Sequence, residues 1–140
     1  MLKLIVLQCI LLLLLTKLET TQSEPPRSYV ILSNLQSGSN IGGLTRNALA
    51  FGVSEVLVVG RKDFKGKMRG SDRGAKQRQK FSQFSSTAEA VEYLKEKEPD
   101  LRILGVEIMP ESISVSEKPY VGSTAFVFGN EGQRCVSEIL

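Results

Sequence analysis

Apolar positions along the chain come in two rhythms. Residues 28–32, 55–59, 103–108 and 124–128 form short, nearly continuous apolar runs rich in Val, Ile, Leu and Phe. Such runs suit strands covered on both faces. Between the first two runs the spacing changes to a helical one. Ile41, Leu44, Ala48 and Phe51 share one face and predict a helix over about 41–51. Asn40 reads as its N-cap, because its side-chain oxygen can accept a free N–H of the first turn. Gly52 reads as the glycine just past the last turn. Residues 60–80 carry no apolar period and read as loop, with a short helical piece near 75–79. Phe81 and Phe84 supply the next apolar contacts in a short irregular or extended segment. Ser86-Thr87-Ala88-Glu89 has the form of a capping box. The helix it opens places Ala88, Val91 and Leu94 inward, with Tyr93 near the edge of that face, and Pro99 lies just past its end. Residues 110–120 read as a polar connection anchored by Ile113 and Val115. After the last run, 129–133 is a glycine-rich loop and 136–140 begins a helix.

Strands alternating with helices predict an α/β domain around a mostly parallel sheet. The short strand–helix–strand link at 28–59 predicts a right-handed parallel crossover. A chain of 140 residues makes one domain, and an apolar content of 41% is ordinary for a globular core. That domain is expected over 28–140, after a linker at 24–27 where Pro25 and Pro26 oppose helix and central strand alike.

Residues 1–23 stand apart. Lys3 precedes an apolar run from Leu4 to Leu15, the form of a secretory signal. The run is shorter than the roughly 20 residues of a membrane helix. Three readings of it stay open: a signal peptide, the first half of a two-part organelle leader, or an upstream extension outside the working protein. The secretory route and an organelle are therefore both open as destinations.

The net charge of +3 is mild, but its distribution is not. Arg61, Lys62, Lys65, Lys67, Arg69 and Arg73 open a basic block that continues to Lys80, opposed only by Asp63 and Asp72. Such a block suits a polyanion such as RNA. From charge alone, a solvated loop is the simpler reading. The chain has no histidine and only Cys9 and Cys135 as thiols. This excludes a His-dependent triad, a disulfide framework and a zinc cluster.

Two loops leave predicted strand ends with glycine and polar side chains, where α/β sheets bind ligands. One runs from Ser33 to Arg46 and the other from Gly129 to Gln133. Neither is a dinucleotide fingerprint or a P-loop. Together they resemble a known family. Asn40-x-Gly42-x-x-x-Arg46, followed by Ala50-Phe51-Gly52 and a valine-rich strand, resembles the first motif of the SpoU (TrmH) RNA 2′-O-methyltransferases, members of the SPOUT or α/β-knot superfamily. The segment 124–132, ending in Gly129-Asn130-Glu131-Gly132, resembles their second motif. The resemblance covers roughly 28–133, with motif order and separation preserved.

This resemblance implies transfer of a methyl group from S-adenosylmethionine to a ribose 2′-hydroxyl of tRNA or rRNA, by a homodimer without a metal. It implies Arg46 as the residue that activates the hydroxyl and holds a phosphate. Asn40 would order the loop or contact substrate, and Glu131 would orient substrate or pair with Arg46. Gly129, Asn130 and Gly132 would line the cofactor site. Two departures stand out. Arg134 occupies a position where the family carries glycine, and Leu140 comes before the family's third motif, which closes the knot and completes the cofactor pocket. The expectation is therefore an α/β-knot-like domain lacking its knot-forming segment, with weakened cofactor binding. A non-catalytic RNA-binding module and a small secreted α/β protein are the competing readings.

Overall fold

A computed structural model of the protein describes residues 24–68, 70, 72–118 and 120–130. Five strands form one sheet: β1 (Ser28–Ser33), β2 (Glu55–Val59), β3 (Phe81–Phe84), β4 (Arg102–Val106) and β5 (Thr124–Phe128). Their spatial order is β3-β2-β1-β5-β4, and every neighbouring pair is parallel. Parallel neighbours need crossover connections. Helices α1 (Gly38–Ala50) and α4 (Thr87–Lys97) lie in two of them, and two single-turn helices, α2 (Phe64–Lys67) and α3 (Ala75–Arg78), punctuate the basic segment.

Alternation along the strands separates two cores. Tyr29, Ile31, Leu57, Val59, Ala125 and Val127 pack under Ala90 and Leu94 of α4. Val30, Leu32, Val56 and Val58 pack under Ile41 and Ala48 of α1, joined by Phe64 and Met68. Both faces of the central strands are thereby buried, which is why β1 and β2 read as unbroken apolar runs.

The structure revises several local expectations. Helix α1 starts three residues earlier than its apolar period suggests. Ser37, not Asn40, is its N-cap, and the Ser37 hydroxyl accepts the Asn40 N–H at 3.3 Å. Phe51 is 83% exposed, and Thr45 fills the inner face instead, its hydroxyl satisfied by the Ile41 carbonyl at 2.8 Å. In α4 the inward set is Thr87, Ala90 and Leu94, while Ala88 is exposed, although Ser86 caps the helix as expected. The segment 81–84 is a regular parallel strand, because β2 offers it a free edge. Ile113 and Val115 anchor nothing among the described residues, with 64% and 72% exposure. No described helix is long and apolar enough to cross a membrane. The expected helix at 136–140, Glu131, Gly132, Arg134 and both cysteines lie outside the described residues.

The loop from β1 into α1 is tied to the end of β2. Asn34 adopts φ +53° and donates its N–H to the Val59 carbonyl at 3.3 Å. Gly60, at φ +74°, lies so close that a Cβ there would stand 2.0 Å from Asn34 Oδ1. Arg61 then clamps Gln36, donating to its backbone oxygen at 2.9 Å and to its side-chain Oε1 at 3.1 Å. At the opposite edge of the sheet, Glu55 is 2% exposed and carries a full set of partners. Its carboxylate accepts from Lys97 at 3.1 Å, Lys80 at 3.2 Å, Tyr93 at 3.1 Å and Ser82. Burial pushes this carboxyl up, but hydrogen bonds from Ser82, Lys97 and Lys80 outweigh it and hold the group below its ordinary value.

Two outcomes follow for stability. A depressed carboxyl contributes stability that is present above its unfolded value of 4.5 and is lost as pH falls through the lower folded value. Chemical denaturation should show this acid slope in the native chain, and Glu55→Gln should flatten it at a cost of about 1–3 kcal/mol near neutrality. Gly60→Ala should destabilise by about 1–3 kcal/mol, read by thermal melting, since alanine resists positive φ and its methyl meets Asn34. Adding Asn34→Ala should recover only part of that loss, because the backbone strain remains.

Candidate functional site

In a parallel sheet the carboxyl ends of all strands face one way. Pairing of β1 with both β2 and β5 brings three loops to that edge. The first is 34–37, leading into α1. The second is 60–63, after β2. The third starts at Gly129 and Asn130, both half-buried, directly after β5. The two motif regions, distant in sequence, thus share one rim.

Arg46 and Asn40 are both exposed on α1. Six residues apart, they stand roughly 120° apart around the axis. Asn40 sits in the first turn with its N–H capped by Ser37, so its side chain is not the cap. Ser33 closes the end of β1 through a 2.9 Å hydroxyl–hydroxyl bond to Thr87, which locks the start of α4 beneath the same rim. Glu131 and Gly132 lie outside the described residues, so the placement of the second motif rests on Gly129 and Asn130.

Reading the sequence by motif misses Glu107. It follows β4 directly, and Val106 is the register partner of Phe128, so Glu107 and Gly129 leave adjacent strands side by side. Its Oε2 is buried and accepts no hydrogen bond among the described residues. A buried acceptor without a donor is costly unless a ligand or another chain segment supplies one. The only sequence signal was a lone carboxylate between Val106 and Ile108.

The basic residues divide into different roles. Arg61 is half-buried and spends both terminal nitrogens on Gln36, so it positions the α1 entrance loop. Lys62 is exposed. Lys65 is exposed with its ammonium 5.8 Å from the Phe64 ring and 5.6 Å from the Phe81 ring, in cation–π range. Lys67 lies in α2, Arg73 is exposed at φ +46°, and Arg69 is outside the described residues. Asp72, the acid within the block, is buried and faces inward. The Lys76 N–H bonds its carboxylate at 3.0 Å and, as the largest influence, holds it below its ordinary value. It therefore shapes the turn before α3. Among the described residues no group of three or more His, Cys, Asp or Glu side chains could hold a metal ion.

Comparison with known proteins agrees with this geometry. A family model described as the SpoU rRNA Methylase family matches residues 27–140. No curated protein matches the sequence. Among solved structures, an rRNA methyltransferase from Sinorhizobium meliloti superposes with TM-score 0.69 at 18% identity, over 84% of this chain and 46% of that one. The TrmH/SpoU tRNA modifying enzyme of A. aeolicus gives 0.62 at 22% identity, over 81% and 57%. The SpoU methyltransferase AviRb from Streptomyces viridochromogenes, solved in complex with AdoMet, gives 0.69 at 19% identity, over 79% and 43%. At such identities the likeness is one of fold, and the chain spans about half the length of these solved structures. The family model covers the whole described domain, and on that ground the chain belongs to the SpoU rRNA methylase family.

Proposed function

We propose that the rim formed by β1, β5 and β4 is a SpoU-type methyl-transfer site. It would take S-adenosylmethionine as methyl donor and a ribose 2′-hydroxyl of tRNA or rRNA as acceptor. The observation that supports this reading is the parallel pairing of β1 with β5, which brings the loop entering the Asn40–Arg46 helix and the Gly129-Asn130 turn to one edge. The chemistry of the donor set supports a cofactor there. The buried Oε2 of Glu107 has no donor among the described residues, and the hydroxyls and amino groups of S-adenosylmethionine are donors. Gly129 lets the backbone approach closely at the same place.

When bound, S-adenosylmethionine supplies an electrophilic methyl group on sulfur. The residues of the chain do the rest. A ribose hydroxyl is a poor nucleophile and must lose its proton during attack. A guanidinium at Arg46 favours the developing negative charge on that oxygen and can grip a neighbouring phosphate through two parallel hydrogen bonds. Asn40, on the adjoining turn, can donate to or accept from the sugar. The exposed Lys62 and Lys65 hold RNA backbone beyond the target nucleotide, which accounts for a basic segment next to the site. A homodimer belongs to the same proposal, and the exposed Phe51 ring at the end of α1 offers apolar surface for it.

The test is methyl transfer itself. The full chain is incubated with methyl-labelled S-adenosylmethionine and bulk tRNA or rRNA, followed by alkaline hydrolysis. Labelled 2′-O-methyl ribose resists strand cleavage at its own phosphate, so label should appear in dinucleotides. Arg46→Ala should lower the rate by about 100-fold or more while leaving salt-dependent RNA binding nearly intact. Label found on bases, or none transferred to any RNA, would contradict the reading.

A further inference from the structure

Beyond the methyl-transfer rim, a second concavity opens at the carboxyl ends of β2 and β3. It encloses about 550 Å³, within the roughly 300–1,000 Å³ of small-molecule sites. Gly60, Arg61 and Lys62 form one side, and Gln83, Phe84 and Ser85 form the other. Glu89, from the first turn of α4, completes it. The pocket shares Gly60 and Arg61 with the loop that positions α1, so it adjoins the proposed active rim.

Its chemistry is lopsided. Part of the donor capacity on its walls is already committed. Both terminal nitrogens of Arg61 go to Gln36, and Gln83 Nε2 goes to the Arg61 carbonyl. Ser85 donates its N–H to Glu89 Oε2 at 2.9 Å. Gln83 Oε1 and Glu89 Oε1 add acceptor capacity to the lining, with the Ser85 hydroxyl able to donate or accept, beside one half-buried aromatic ring. Phe84 is braced from behind by Tyr93, with centroids 5.0 Å apart at 48°, so its ring is a fixed platform. Lys62 lines the pocket, is exposed, and has no partner among the described residues to hold it, unlike Arg61. A carboxylate at the helix start disfavours a phosphate inside, where the helix dipole would otherwise attract one. The anion must sit at the mouth and a planar, donor-bearing group within.

We infer that this pocket is a subsite for one unpaired nucleotide flanking the methylated ribose. The base stacks on Phe84 with its exocyclic amino group toward Glu89 and Gln83, and its phosphate meets Lys62. Unpaired bases are the usual currency of specific RNA recognition, and stacking on an aromatic ring is sequence-tolerant by itself. Discrimination comes from the acceptors. Adenine, cytosine and guanine carry an exocyclic amino donor; uracil carries oxygen there and would face acceptors with acceptors. The subsite rests on the RNA reading above but is testable without methyl transfer.

The experiment is a titration of the full chain with AMP, CMP and UMP, followed by backbone amide NMR. Shifts are expected at Gly60–Lys62 and Gln83–Ser85, with AMP and CMP binding about tenfold more tightly than UMP. Glu89→Gln keeps a capping-box acceptor for Ser85 but replaces the free acceptor with an amide donor. It should erase or reverse the preference against UMP while leaving the melting temperature nearly unchanged. Equal affinities for the three nucleotides, an unchanged preference in Glu89→Gln, or shifts confined to Gly129 and Asn130 would overturn the subsite. S-adenosylmethionine shifting these same amides would also overturn it by placing the cofactor there. Salt-dependent RNA binding, measured alongside, separates the two readings: if it persists while nucleotide selectivity is absent, only the subsite falls.

Discussion

The central position of β1 governs this molecule. It is paired in register on one side with β2, Tyr29 opposite Glu55, and on the other with β5, Tyr29 opposite Ala125. Side chains of β1 alternate between two cores, so a shift of one residue would exchange Ile31 and Tyr29 with Val30 and Leu32 and mispack both. Because the register is fixed from both faces, the strand ends are fixed too. The loop into α1 and the turn after β5 therefore meet at one rim whatever the intervening chain does. The shared rim is a consequence of sheet register, and the connecting segments are left to carry the basic residues.

Charge in this chain has divided labour. Lys62 and Lys65 are exposed, Lys65 lying over the Phe64 and Phe81 rings, whereas Arg61 is committed as a clamp on Gln36. A guanidinium suits that task because its planar fork reaches two acceptors at once. Glu55 does the corresponding work at the opposite edge, tying β2 to β3 and α4 through Ser82, Lys80, Tyr93 and Lys97. Glu55 thus braces the edge strand β3, which is short and only partly buried.

The alternation of strand and helix, the boundaries of β2 and β5 and the two motif loops were legible in the sequence because each rests on local pattern. Val56–Val59 could hardly be anything but a buried strand, and Ser86 with Glu89 announced a helix start. What escaped notice depended on distant partners. Phe51 looks like a core residue until the loop to β2 is seen to turn away before it, and Thr45 looks polar until Ile41 satisfies its hydroxyl. Phe81–Phe84 became a strand only because β2 had an open edge. Of the candidate site residues, Gly129 and Asn130 directly follow β5, Asn40 lies in the first turn of α1, and Arg46 is exposed further along that helix. Arg61 has a structural task that charge alone could not reveal, and Glu107 carries a signal only its burial makes visible.

The central claim is that the ends of β1, β5 and β4 hold the methyl donor. Backbone amide NMR of the full chain during titration with S-adenosylmethionine tests it most directly. The account predicts saturable shifts centred on Gly129, Asn130 and Glu107, with smaller changes along 34–37. Shifts absent from that rim at saturating cofactor, or centred on another part of the sheet, would contradict it.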